Sequence, residues 1–314
     1  MYYLGVDIGG MSIKCGLVNE DGQIVFSKSV VTPLTGARDI AKVTAVLVQD
    51  VLSENNLKKS DVPGIGVGVP GIVDLSTQEV KYSCNLFKEN APLGKMLEEE
   101  SGMMVKIAND ADTAAYGECL FGAGKGAQDI VMVTLGTGVG GGVVANGKPF
   151  AGGRGLGGEI GHMGIGGPDL CACGRYGCME AEVSATALIR RTKEAIAKNP
   201  DSTLAKISKG KEVDGRTLFY ALDQDCEVAK TVFDAFLADL GYGLVNLANI
   251  FRPQMILIGG GISAQGERLT APLQEYVDKY IYGGTSFART IVKSAELGNP
   301  AGIIGAAFLL KTNE

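Results

Sequence analysis

One pattern occurs twice in this chain and restricts the fold more than any other feature. The strand-like run Tyr2–Ile8 breaks at Gly9-Gly10 and resumes as Ile13–Val18. It then meets Asp21-Gly22, a dipeptide suited to a hairpin turn, ahead of Ile24–Val30. The run Ile130–Leu135 likewise breaks at Gly136-Thr137-Gly138, resumes as Gly140–Val144 and meets Asn146-Gly147. The same unit at Val6–Gly22 and Val133–Gly147 implies an α/β chain of two related domains facing each other across a cleft.

The intervening segments suit that reading. Helical patterns are expected over about 37–53 and 109–121, with apolar strands over 63–69 and 104–108. The second half reads as helical around 181–197 and 228–250, followed by a strand, Met255–Ile258, that runs into Gly259-Gly260-Gly261. A last apolar stretch, 302–310, is expected as a helix packing back on the first domain. The expected division is a small N-terminal domain over 1–121, joined by the C-terminal helix at about 302–314, and a large domain over 122–301.

Glycine is over-used, with 46 residues, and it concentrates in short loops after β-like runs. Two of these loops match G-x-G-x-x-G: Gly66-Val-Gly68-Val-Pro-Gly71 and Gly136-Thr-Gly138-Val-Gly-Gly141. A dinucleotide site needs that motif between a strand and a helix. Here one copy runs through Pro70 into Ile72-Val73-Asp74 and the other into strand-like Val143-Val144, so neither supports one. No Walker A sequence is present either. Such loops are tight turns when they stand alone; beside an acid such as Asp7, where Mg²⁺ could be held, they suit phosphate.

Net charge is −6 with no run of like charges, which argues against nucleic acid or an anionic membrane as partner. No basic stretch followed by a long apolar run opens the sequence, so the protein is expected in the cytosol. There, seven cysteines are not a disulfide framework, and clustered ones suggest metal. His162, the single histidine, lies with Cys171, Cys173 and Cys178 within seventeen residues. Thiolates plus one imidazole at this spacing suit a closed tetrahedral Zn²⁺ site, structural rather than catalytic. The second ring nitrogen is then an oriented N–H donor. With the flanking acids Glu159 and Glu180 it suits recognition of a polyhydroxyl compound. Cys15, Cys84, Cys119 and Cys226 are isolated and are expected to be buried small hydrophobes.

Asn109-Asp110 falls where a strand meets a helix. By itself the pair reads as a helix N-cap. A catalytic base at the same place would be held ionised by the helix dipole.

Four passages together resemble the ROK family of bacterial sugar kinases and sugar-responsive repressors. They are Asp7-Ile-Gly-Gly-Met-Ser-Ile-Lys14, Asn109-Asp-Ala-Asp-Thr-Ala-Ala-Tyr-Gly-Glu118 and Leu135-Gly-Thr-Gly-Val-Gly-Gly-Gly142, with Gly158-Glu-Ile-Gly-His162 continuing to Cys171-Ala-Cys-Gly-Arg-Tyr-Gly-Cys-Met-Glu180. The resemblance implies two actin-like (ribonuclease H-like) domains flanking a cleft. It implies MgATP-dependent phosphorylation of a hexose 6-hydroxyl, with Asp110 as general base. Gly71, Asn85, Asn109, Glu159, His162 and Glu180 would meet the sugar. Asp7, Gly9, Gly10, Lys14, Thr137 and Gly138 would serve the phosphates, and Gly259, Gly260 and Gly261 the adenosine. A homodimer or higher homo-oligomer is expected. The segment from Glu180 to Arg190 is most similar to the family's glucokinases, which makes glucose the expected sugar and an N-acetylated amino sugar the alternative. A sugar-sensing repressor is disfavoured, because the first strand starts at Tyr2 and leaves no room for an N-terminal DNA-binding domain. The chain departs from the family pattern at Met11, where Thr is usual, and at Lys88, where an aromatic residue is common.

Overall fold

Tyr2–Ile8 (β1) pairs antiparallel with Ser12–Asn19 (β2), which pairs with Ile24–Val31 (β3) through a turn at Gly22, whose φ of +77° suits glycine. In the structure, a computed structural model that describes residues 1–83, 86–153 and 155–313, this hairpin forms one edge of a five-stranded sheet. Helix α1 (Ala37–Glu54) follows; Ile40, Ala41, Thr44, Leu47, Val48, Val51 and Leu52 give it one buried stripe at helical spacing. Ile65–Val69 (β4) is buried along its whole length, as a parallel central strand must be. The strand begins two residues later than expected, since Pro63 cannot donate to a ladder and Gly64 has φ +148°.

A small hairpin, Ile72–Asp74 (β5) with Glu79–Tyr82 (β6), comes next. Then come Leu93–Ser101 (α2), Val105–Asn109 (β7) and Asp110–Phe121 (α3), so the sheet order is β3-β2-β1-β4-β7. The second sheet repeats that order. Ile130–Leu135 (β8), Val139–Ala145 (β9) and Lys148–Pro149 (β10) stand as β10-β9-β8. After the helices Met179–Val183 (α4), Ala185–Lys198 (α5), Thr203–Ser208 (α6), Thr217–Leu222 (α7) and Glu227–Phe251 (α8), strand Met255–Gly259 (β11) joins beside β8. Glu267–Tyr280 (α9) leads to Ile291–Ser294 (β12), parallel to β11, and Ala301–Ala307 (α10) follows. The stretch expected as one helix around 181–197 is two. Ser184 is extended between them, and its hydroxyl caps α5 by accepting the Ala187 N–H.

By its contacts the chain divides into two compact units. The first comprises Met1–Met132, Gly142–Gly158 and Ala295–Glu314, and the second Val133–Gly141 and Glu159–Ser294. Among the described residues no helix is long and apolar enough to cross a membrane. Cys15, Cys119 and Cys226 are buried as expected, and burial pushes the Cys15 thiol up to about 12 and the Cys119 thiol to about 11. Cys84 lies outside the described residues.

Within the first unit, α10 lies on β1, β4 and α3 with backbone against backbone. A Cβ at Gly5 would stand 1.9 Å from Ile303 O, and one at Gly66 would stand 1.7 Å from Ala306 O. On the α3 side, a Cβ at Gly305 would stand 1.7 Å from Thr113 O, and one at Gly117 would stand 2.4 Å from Ala301 O. Helix propensity alone makes Gly305→Ala stabilising by about 1 kcal/mol. The steric term opposes it, because backbone cannot yield as a side chain can. We expect Gly305→Ala to lose about 1–3 kcal/mol in urea unfolding; a gain in stability would show that α10 does not approach α3 this closely.

Candidate active site and metal centre

In the first unit the acids stand at one end of parallel strands. Asp7 of β1 is level with Gly68 of β4, and Val69 of β4 with Asn109 of β7. These are the carboxyl ends of the strands, where open α/β sheets bind ligands. Asn109 ends β7 with extended backbone (φ −63°, ψ 146°), and its Oδ1 accepts the N–H groups of Ala111 (2.8 Å) and Asp112 (3.3 Å). The cap read from the sequence is therefore real, and α3 starts at Asp110 rather than Asn109. The Asn109 amide also donates to Gly71 O at 2.9 Å. Gly71 has φ +113°, and a Cβ there would meet Tyr82 O at 2.1 Å, so only glycine fits.

Asp110 is the first residue of α3, with Oδ1 accepting the Ala111 N–H at 2.9 Å. Asp7 is partly buried, with Lys14 Nζ at 3.7 Å from Oδ2. Burial pushes its carboxyl up, and Lys14 offsets part of that. Thr113 and Gly302, which sequence reasoning missed, stand close by. A Cβ at Gly302 would lie 3.8 Å from Asp7 Cγ and 3.9 Å from Thr113 Oγ1. Thr113 lies within the Asn109–Glu118 passage without a role read for it, and no motif marks Gly302, which only the folding of α10 onto the sheet brings there.

In the Gly9-Gly10-Met11 turn, the Gly9 N–H donates to Ser12 O at 2.9 Å, while the Thr32 hydroxyl donates to Gly9 O at 2.6 Å. Met11 is 88 % exposed, so its thioether packs on nothing, and Ser12 already belongs to β2. Asn85 lies outside the described residues.

In the second unit the Gly136–Gly138 turn follows β8, while Gly259 ends β11 and Gly260-Gly261 follow it, again at strand ends. Gly260 (φ +85°) packs so closely on β8 that a Cβ would lie 2.3 Å from Leu135 O. Thr137 is exposed in its turn. Glu159 is exposed just ahead of a 3-10 turn, Ile160–His162, and its carbonyl accepts the His162 N–H at 3.1 Å. Glu180, on α4, is half-buried.

The side chains of His162, Cys171, Cys173 and Cys178 converge, their ligand atoms all within 4.8 Å of one another. Cys171 Sγ lies 3.5 Å from His162 Nδ1, and Cys173 Sγ 3.6 Å from Cys178 Sγ. A tetrahedral zinc with bonds of about 2.3 Å to sulfur and 2.0–2.1 Å to nitrogen separates its ligand atoms by about 3.5–3.8 Å. The spacing fits that geometry and is far too long for a disulfide. Because Nδ1 faces the thiols, Nε2 is the nitrogen left to face a ligand. Burial pushes the Cys171 thiol up and Cys178 to about 12, whereas the Arg175 backbone N–H holds Cys173 down.

The profile of the ROK family matches residues 3–313. This chain belongs to the ROK family. It is 37 % identical to a glucokinase of Halalkalibacterium halodurans, covering 100 % of this chain and 96 % of that one. It is 38 % identical to a glucokinase of Thermotoga maritima, covering 98 % and 96 %. Among solved structures, the ROK family glucokinase of Streptomyces griseus in complex with glucose and AMPPNP superposes with a TM-score of 0.79 at 33 % identity, over 98 % and 99 % of the two chains. The two-domain, actin-like α/β fold expected from the sequence is thus the fold of this ROK protein.

The convergence of the four ligands predicts about one zinc per purified chain by metal analysis. Ligation requires thiolates, so metal content is expected to fall as pH is lowered and not as it is raised. Cys173→Ser should lower it at any pH; full metal content in that variant would exclude the four-ligand site.

Proposed function

We propose that this ROK protein is a cytoplasmic, ATP-dependent glucokinase that phosphorylates glucose at its 6-hydroxyl. The observation that carries the reading is Asp110. The acid that such chemistry needs stands at a helix N-terminus beside parallel strand ends, in a chain similar over its whole length to glucokinases.

Phosphoryl transfer asks the protein mainly for positioning and charge neutralisation. The Asp110 carboxylate accepts the proton of the sugar 6-hydroxyl as that oxygen attacks the γ-phosphorus, and ADP leaves. Asp110 is the first residue of α3, placed at the carboxyl ends of the parallel strands to accept that proton. Asn109, which caps α3 and donates its amide to Gly71 O, fixes the backbone that leads into it. Glu159, Glu180 and the His162 Nε2–H bond the other hydroxyls. Gly9, Gly10, Lys14, Thr137 and Gly138 serve the phosphates, and Gly259–Gly261 the adenosine. Mg²⁺ would be held by Asp7 and would neutralise the transferring phosphates. Zinc at the four ligands would be structural, fixing the His162 ring so that Nε2 faces the sugar.

A coupled assay with MgATP across a panel of hexoses tests the reading. Glucose is expected to give a higher kcat/KM than N-acetylglucosamine; the reverse order would make the acetylated sugar the substrate. Asp110→Asn preserves size but cannot accept the proton, so kcat should fall roughly 10²–10⁴-fold while sugar affinity changes far less. Near-normal turnover by the folded variant would remove Asp110 from the chemistry.

A further inference from the structure

Binding a sugar hydroxyl does not require Glu180 to touch the Gly-rich turn, yet it does. In the second unit, Glu180 Oε2 accepts the backbone N–H of Val139 at 3.1 Å. A Cβ at Gly138 would stand 2.2 Å from that same oxygen. The other oxygen, Oε1, faces the metal centre, 3.8 Å from Cys171 Sγ. Two more bonds from just beyond α4 hold the turn. The Ala185 N–H donates to Gly136 O at 2.8 Å, and the Thr186 hydroxyl donates to Thr137 O at 2.7 Å. The turn is therefore hung from the segment Glu180–Thr186, with Glu180 as its charged support.

The geometry points to Glu180 as a positioning residue for the Gly136–Val139 turn as well as a sugar acceptor, so that sugar and nucleotide bind cooperatively through this one carboxylate. The inference rests on the reading above, in which Glu180 meets the sugar and Thr137-Gly138 meet the phosphates. A carboxylate has two oxygens and about four acceptor sites, enough for a backbone N–H on Oε2 and a sugar hydroxyl on Oε1. A hydroxyl donated to Oε1 fixes the side-chain torsions of Glu180 and with them the bond to Val139. Phosphates bound to the turn fix the same side chain from the other end. Each ligand then finds the carboxylate already ordered, and linkage makes the effect equal in both directions.

The segment Glu180–Arg190, whose likeness to glucokinases is legible in the sequence, acquires a physical task on this account. It seats the turn.

Two substitutions test the coupling from opposite ends. Glu180→Gln leaves a neutral amide in place of the charged acceptor. Gly138→Ala is conformationally allowed, because Gly138 is not among the glycines of positive φ. The atom that must move is the tip of the Glu180 side chain, so the fold is spared and the carboxylate is displaced. Calorimetric titrations would measure glucose alone, MgADP alone and each ligand in the presence of the other. Glu180→Gln is expected to weaken MgADP about threefold to tenfold with no sugar present, the share of one hydrogen bond. Gly138→Ala is expected to weaken glucose by a similar factor with no nucleotide present. In the wild type each ligand should tighten the other, and both variants should lose that gain. Unchanged MgADP affinity in Glu180→Gln, or unchanged glucose affinity in Gly138→Ala, overturns the coupling alone. Wild-type protein that binds neither ligand overturns the kinase reading and the coupling with it.

Discussion

The arrangement of the first unit depends on how closely backbone can approach backbone around α10. Glycines on four elements, Gly5, Gly66, Gly117 and Gly305, remove the side chains that would hold helix and sheet apart. Ile303 and Ile304 fill the remaining space and are almost fully buried. Because α10 wedges against both the sheet and α3, it fixes the tilt of α3 and with it the position of Asp110. The same packing brings Gly302 beside Asp7, where a larger side chain would crowd the carboxylate. The far end of α3 is held as well. Glu118, fully buried, accepts the N–H groups of Ala123 at 2.9 Å, Glu296 at 3.1 Å and Leu297 at 2.7 Å. A buried carboxylate with that many backbone donors is well satisfied, and it pins the chain where it returns to the first unit.

The second unit solves a different problem, since the knuckle between Glu159 and Cys178 has few apolar residues with which to hold itself. At one end the side chains of His162, Cys171, Cys173 and Cys178 converge. The opposite loop is fastened by Glu182, 2 % exposed, which accepts the Asp169 N–H at 3.1 Å and pairs with Arg191 at 2.8 Å. Arg191 reaches on to Asp239 of α8 at 2.7 Å. Burial pushes the Glu182 carboxyl up, against the backbone N–H and Arg191 that hold it down. Glycine suits this loop too, for Gly167 has φ +111°, a conformation other residues rarely adopt. Glu180 and Glu182 thus sit on one short helix with separate tasks, the first toward the Gly-rich turn and the second toward the knuckle loop.

Sequence reasoning read local features well where one residue type has one physical use. The Asp21-Gly22 turn, the Asn109 cap, the helix α1 and the clustering of His162 with Cys171, Cys173 and Cys178 each follow from short spacing, because their partners lie a few residues away. The repeat at Val6–Gly22 and Val133–Gly147 foretold two sheets, and their strand orders agree. Boundaries were less legible. The break at Ser184 is hidden in a stretch of good helix formers, where only a side-chain cap separates two helices. The helices α2 and α9 and the last strand, β12, went unread, because their patterns are weak without the surfaces they pack on.

The sequence by itself determined which chemistry is available: a Cys/His cluster that could hold a metal, acids at strand ends and glycines in the turns between strands. Those are properties of residue type and local spacing, and they survive any arrangement of the distant parts. Tertiary structure alone decided what each group touches. Asn109 spends its amide on Gly71, thirty-eight residues away, and Glu180 spends an oxygen on Val139, forty-one residues away. Gly302 reaches Asp7 from the far end of the chain. Contacts of that range depend on packing that no short window of sequence contains, because a hydrogen bond needs its partners within about 3 Å and spacing along the chain does not supply that distance.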